Sequence, residues 1–241
     1  MTRIRIQRSG TCTLAIASLL LCSTAFAGGG YIDLRRIESV HGDVAAGKVK
    51  ATVCMACHGP AGVAPVPTFP NLAGQHAEYL YWQLVEFKRE ARPESPMTAQ
   101  VALLGDADMR NLAAYFAAFP PGGAAASGAG ETAERGGALY RDGDPARGIP
   151  PCQGCHGTDG NGHPLAGSDA HWRVYPRLQG QHAGYLAQRL KDFRDRKHAL
   201  SSSDKIMTAV AQSLDDASID ALAHWLESTP APVAAQRGGT N

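Results

Sequence analysis

The 241-residue sequence is short of several things, and each shortage excludes a class of protein. It has no excess of charge: 23 Lys and Arg stand against 22 Asp and Glu, a formal net charge of +1, so nothing announces a nucleic-acid partner. Its longest apolar stretch, Thr11 to Phe26, stops short of the ~20 residues a membrane-spanning helix needs. No segment shows clear strand alternation. Six cysteines are too few for the disulfide scaffold of a chain this long. With 44% hydrophobic and 19% charged residues, the chain can bury a core and is not a disordered tail. Its length suits one large domain or two small ones.

What is present begins with an export signal over residues 1–27. Arg3, Arg5 and Arg8 form a basic start, Leu14 to Leu21 an apolar run, and Ala25-Phe26-Ala27 a small-x-small cleavage site. An uncleaved anchor fits the clean ending less well, and Leu21 before Cys22 lacks the small side chain expected ahead of a lipidated cysteine. Removing the signal takes away three arginines, leaving 20 basic and 22 acidic residues, and also removes Cys12 and Cys22.

The four remaining cysteines form two copies of one pattern, Cys54-Met55-Ala56-Cys57-His58 and Cys152-Gln153-Gly154-Cys155-His156. In an exported chain this spacing reads as haem c attachment. Two thiols three positions apart can add to the two vinyl groups on one haem edge, and the next imidazole then reaches the iron from the proximal side. A zinc site built from both pairs fits poorly: 94 residues separate Cys57 from Cys152, and both histidines go unexplained. A thioredoxin-like pair would need a β-α-β context that the pattern does not offer.

The two halves overlay with a simple shift. His58 maps to His156 at an offset of 98, and Pro70-Asn71-Leu72-Ala73-Gly74-Gln75-His76 to Pro176-Arg177-Leu178-Gln179-Gly180-Gln181-His182 at 106. Met97-Thr98-Ala99 maps to Met207-Thr208-Ala209 at 110, an offset that then holds to Pro120/Pro230. The growing offset places two insertions in the second half, within Thr158 to Val174 and around Ser201 to Asp204, both of polar loop composition. The division expected is a signal peptide (1–27), a first domain (28–120), a Gly/Ala-rich linker (121–130) and a second domain (131–241). Both domains read as all-α. Helices are expected at about Ala45–Val53 and Glu131–Tyr140, after Gln75-His76 and Gln181-His182, and from caps at Asp106 and Asp216.

A haem held by two cysteines and one histidine leaves a sixth iron position to assign. The second domain contains a single methionine, Met207, and its repeat partner is Met97. Met55 lies inside the attachment loop, and Met109 aligns with Ile219 at a core position. The repeat therefore selects Met97 and Met207, each read as sitting in a loop just before a helix, with His76 and His182 as the competing pair. Pro70 and Pro176 are candidates to offer the carbonyl that orients each motif imidazole.

These residues resemble the class I cytochromes c, and the tandem form is similar to the dihaem cytochrome c4 family. The likeness rests on C-x-x-C-H-G in each half, the P-x-L-x-G-Q segments, the Met-Thr-Ala segments and the final Leu-Ala-x-aromatic helices, over about residues 43–230. It departs where Pro60-Ala61-Gly62 replaces the Asp159-Gly160-Asn161 turn, and in the extension from Gly28 to His41.

The resemblance implies two all-helical domains, each wrapped around one covalent haem c with His/Met ligation by His58 and Met97, and by His156 and Met207. It also implies a periplasmic carrier of single electrons between a quinol-oxidising bc1-type complex and a terminal oxidase, often associated peripherally with the membrane. No nucleic acid and no small-molecule substrate is expected. The alternative is an electron-accepting subunit of a periplasmic dehydrogenase. A dihaem peroxidase-type enzyme ranks last, because each half offers a methionine where such an enzyme needs a vacant or displaceable position. Mass spectrometry of the exported protein should find a chain that begins at Gly28 and carries two haems. A retained signal or a single haem would contradict this reading.

Overall fold

The computed structural model describes residues 31–89, 92–122, 130–197 and 199–230. The expected signal peptide and the connector residues 123–129 lie outside the described residues. The first half contributes α1 (Val44–Lys50), α2 (Met55–His58), α3 (Ala77–Lys88), α4 (Pro96–Val101) and α5 (Asp106–Ala117). The second repeats the order as α6 (Glu131–Asp142), α7 (Gln153–His156), α8 (Ala183–Arg194), α9 (Ser202–Ala211) and α10 (Asp216–Ser228). Among the described residues the β-type pairing is confined to isolated bridges, Ile32 with Ser201 and Asp144 with Ile149. No described helix is long and apolar enough to cross a membrane.

Each half is built on a crossing of its first and last helices, α1 on α5 and α6 on α10. The crossing is close because glycine removes a side chain from it. A Cβ on Gly47 would lie 2.1 Å from the Asn111 carbonyl oxygen, and one on Gly136 would lie 1.9 Å from that of Ala221. Asn111 and Ala221 are repeat partners at the offset of 110, so the same contact is made twice. Around it, Leu80, Leu112 and Phe116 pack in the first core, and Leu186, Ile219, Leu222 and Leu226 in the second.

Local capping departs from the simplest reading. Asp215, not Asp216, caps α10, its carboxylate accepting the Ser218 N–H at 2.8 Å. Gly105 precedes α5, and its N–H donates to Asp108 at 3.1 Å. Asp106 instead accepts the Tyr81 hydroxyl at 2.6 Å. The two methionines read as loop residues lie in helices. Met97 is in the first turn of α4, where Ser95 accepts its N–H and Pro96 needs no partner of its own. Met207 is inside α9, started by a reciprocal box: Ser201 Oγ accepts the Asp204 N–H at 3.2 Å and Asp204 accepts the Ser201 N–H at 3.1 Å. What composition marked as a polar loop is therefore a helix start.

The other insertion also has a structural task. It ends in a 3₁₀ turn, Ala170–Val174, and Arg173 from it reaches the first half, meeting Glu78 at 2.9 Å and Ser39 at 2.9 Å. The extension before α1 runs the opposite way. The Ile32 N–H donates to Leu200, its carbonyl accepts from Ser202, and Leu34 N–H donates to Ser202 Oγ at 3.0 Å. It then returns to its own half, where Val40 N–H donates to Glu78 at 3.2 Å.

Gly136→Ala should lower stability by about 2–3 kcal/mol, because the added methyl overpacks the α6–α10 crossing. Gly167→Ala, where a Cβ would meet nothing within 4 Å, should leave the thermal midpoint nearly unchanged. Equal midpoints for the two variants would show that the crossing tolerates a side chain.

Candidate functional site

The motif residues lie on two single helical turns, α2 and α7, which set the cysteines three positions apart on one side and end on the histidine. His58 and His156 are each only 5% exposed. His58 Nδ1 lies 2.9 Å from the Pro70 carbonyl and His156 Nδ1 lies 3.0 Å from that of Pro176. A carbonyl only accepts, so both rings carry their proton on Nδ1 and leave a lone pair on Nε2. Burial pushes both rings below the ordinary histidine range, with the proline carbonyl partly offsetting it. They are therefore neutral near pH 7, the state in which imidazole binds a metal.

His156 Nε2 is buried and has no hydrogen-bond partner. It faces an apolar cleft whose walls include Cys152, Leu178, Leu186, Val210, Leu214 and Leu222, together with Met207. An apolar hollow holding one thiol, one thioether and one unpartnered imidazole nitrogen fits a flat hydrophobic macrocycle with a metal at its centre. Trp82, whose buried indole N–H also lacks a partner, lines the same cleft, as do Arg189, Glu86 and Asp204. In the first half Met97 is half-buried on α4, which packs on α3, while Met109 is buried in the core on α5.

The four motif cysteines form no disulfide with one another, Cys57 being exposed and the other three partly covered. Burial pushes Cys152 up to about 11 and raises Cys54 and Cys155 as well. A redox-active cysteine pair requires the reverse, a depressed thiolate pKa. Among the described residues no three His, Cys, Asp or Glu side chains come together to hold a bare metal ion.

The competing histidines stand elsewhere. His182 Nε2 lies 3.0 Å from the carbonyl of Ala64 in the other half, so it donates there. His76 Nε2 is buried beside Gly162, which occupies the position corresponding to Ala64. Both therefore belong to the seam between the halves.

The same segments that support the motif histidines also build this seam. Gln75 Oε1 accepts the Arg177 N–H at 2.9 Å, and its Nε2 donates to the Arg177 carbonyl at 2.8 Å. Gln181 does the same to Asn71, at 2.8 and 3.0 Å. Asn71 Nδ2 reaches the Gly180 carbonyl at 3.0 Å, and Arg177 Nη1 reaches that of Gly74 at 2.8 Å. Sequence reading aligned Gln75 with Gln181 without giving either a role; their strict repetition beside the supporting prolines was the available signal.

The Cytochrome c family matches residues 44–118 and 133–230. A cytochrome c4 of Azotobacter vinelandii is 39% identical over 195 residues, covering 77% of this chain and 89% of that one. A thiosulfate dehydrogenase electron acceptor of Thiomonas intermedia is 34% identical over 190 residues, covering 77% and 82%. The crystal structure of reduced recombinant cytochrome c4 from Pseudomonas stutzeri superposes with a TM-score of 0.70 at 36% identity, covering 79% of this chain and all of that one. The fold is thus two tandem cytochrome c domains, and the motifs at Cys54/Cys57 and Cys152/Cys155 fit two covalently bound haem c groups.

Stability should depend on pH through His76. Burial, with Arg177 adding to it, holds this ring down to about 4 from an ordinary 6.5. The unfolded chain thus takes up a proton below pH 6.5 that the folded chain refuses until about pH 4. Stability falls as pH drops through that window, by up to about 1.4 kcal/mol per unit. His76→Gln should flatten that part of a urea-midpoint profile; an unchanged slope would assign the acid sensitivity to other groups.

Proposed function

Because the chain belongs to the cytochrome c4 family, dihaem electron-transfer proteins rather than enzymes, we propose that it carries single electrons from a bc1-type quinol-oxidising complex to a terminal oxidase. The iron ligands in this reading are His58 with Met97 and His156 with Met207. The observation that carries it is the unpartnered His156 Nε2, facing the cleft that Met207 and Cys152 also line. The limits are those read from the sequence: a signal over 1–27, domains over 28–120 and 131–241, and a linker over 121–130. Export through that signal would place the protein in the periplasm, with peripheral membrane association as an option.

Each bound haem supplies a one-electron couple. The chain determines how readily that couple changes state. The Pro70 and Pro176 carbonyls fix the tautomer and rotation of the two imidazoles, so the Nε2 lone pairs point to one place. A methionine sulfur from Met97 or Met207 on the iron would raise the potential relative to a second histidine, and the apolar walls would keep water out and raise it further. With His58 and Met97, and His156 and Met207, holding the two irons, gain or loss of an electron would need little rearrangement.

Redox proteins are the partners of the family. The second reading, an electron-accepting subunit of a periplasmic dehydrogenase, is favoured by the likeness to the Thiomonas intermedia thiosulfate dehydrogenase electron acceptor. Copurification of the native protein with a catalytic subunit would select it.

Met207→His should lower the potential of the second haem by on the order of 60 mV or more, a tenfold change in a one-electron equilibrium, while both haems stay attached. An unchanged redox titration would remove Met207 from the ligand set.

A further inference from the structure

We propose that Gln75 and Gln181 are crossed positioning residues, each setting the donor strength of the motif histidine in the domain to which it does not belong. The proposal rests on the reading that His58 and His156 ligate the two irons. It starts from one peptide group. The carbonyl of Pro70 and the N–H of Asn71 are the two ends of a single planar amide. The carbonyl end faces His58 Nδ1 at 2.9 Å, and the N–H end donates to Gln181 Oε1 at 2.8 Å. In the second domain the Pro176–Arg177 amide faces His156 at 3.0 Å and donates to Gln75 at 2.9 Å.

An amide is a resonant unit, so a hydrogen bond accepted from its N–H moves electron density toward its oxygen. That makes the oxygen a better acceptor for the imidazole N–H opposite. A better acceptor makes the ring more basic at Nε2, which favours the ferric over the ferrous state and lowers the potential. The influence crosses the seam in both directions: Gln181 acts on the first haem and Gln75 on the second.

The amides are held in the orientation this requires. Each glutamine is only 7% exposed. Besides the partner's N–H, Gln75 Oε1 accepts the N–H of His76 at 3.0 Å, and Gln181 Oε1 accepts that of His182 at 3.2 Å. A flipped amide would set its NH₂ against two N–H donors. Nor does the seam hang on these residues alone. The Asn71 to Gly180 and Arg177 to Gly74 bonds and the Arg173–Glu78 ion pair also join the halves, so losing one glutamine leaves the domains tied.

The test is a redox titration of the full dihaem protein, with the haem-methyl proton resonances reporting each haem separately. Gln181→Met should raise the potential of the haem at Cys54/Cys57 by about a twofold change in its one-electron equilibrium, about 18 mV at ~59 mV per tenfold, and move the other haem less. Gln75→Met should do the reverse. Gln181→Glu and Gln75→Glu, which keep an acceptor and charge it, should give crossed shifts toward lower potential, and they decide the matter if the methionine variants do not fold. The ring N–H resonance of the affected histidine should move in the ferrous protein. Shifts on the variant's own domain, equal shifts on both haems, or none would overturn the proposal. The unmodified protein separates the two readings: without a methionine-to-iron charge-transfer band from both haems the ligand assignment fails, whereas intact bands without a crossed pattern defeat this proposal alone.

Discussion

The hydrogen bond from each motif imidazole to a proline carbonyl is the contact around which both domains are arranged. It fixes a tautomer, and a tautomer fixes which nitrogen is free. For His156 that nitrogen is buried, unpartnered and turned into an apolar cleft. In the proposed reading this nitrogen is the one that would hold the haem iron. Leu186, Leu214 and Leu222 build the hollow. Pro176 aims the ring into it, and Cys152, at the start of α7, lines its wall.

The two halves keep their likeness in backbone contacts more than in side chains. Asn71 and Arg177 share neither charge nor size, yet each sends its nitrogen to the carbonyl of a matching glycine, Gly180 or Gly74. Ala64 and Gly162 differ too, yet a histidine from the opposite half lies against each, His182 bonded to the Ala64 carbonyl and His76 beside Gly162 without a hydrogen-bond partner. The seam therefore approximates a twofold arrangement that selection on the backbone can hold while side chains drift. Asymmetry enters through additions: the Arg173 turn, and the extension ahead of α1.

Much of this was legible in the sequence. The spacing of the cysteines and histidines, the offsets of 98, 106 and 110, and the apolar periodicity of α3, α5, α8 and α10 required no coordinates. Met207 was readable as unique in its half, but its place inside α9 was obscured because Ser201-Ser202-Ser203-Asp204 looks like loop composition. The pattern Ser-x-x-Asp is also a helix start, and only the apolar residues after it decide between the two. Gly47 and Gly136 escaped notice because a close approach depends on what crosses the helix, which periodicity does not reveal. The glutamines escaped for the same reason: an amide paired with a backbone 102 or 110 positions away leaves no local trace beyond its repetition.

The extension has a consequence for the order in which the chain acquires its shape. Leu34 pairs with Ser202, 168 positions later, so almost the whole chain must exist before the earliest described residues can settle. A contact this distant contributes little to an early nucleus, since closing so long a loop costs entropy before anything is gained. The segment therefore closes late, over a helix start already formed at Ser201. Once there, it ties α9 to the first domain through Val40 and Glu78. A chain cut or frayed ahead of α1 would lose this fastening across the start of the helix that holds Met207, and with it the buried Ile32 and Leu34 and the Ser39 bond to Arg173.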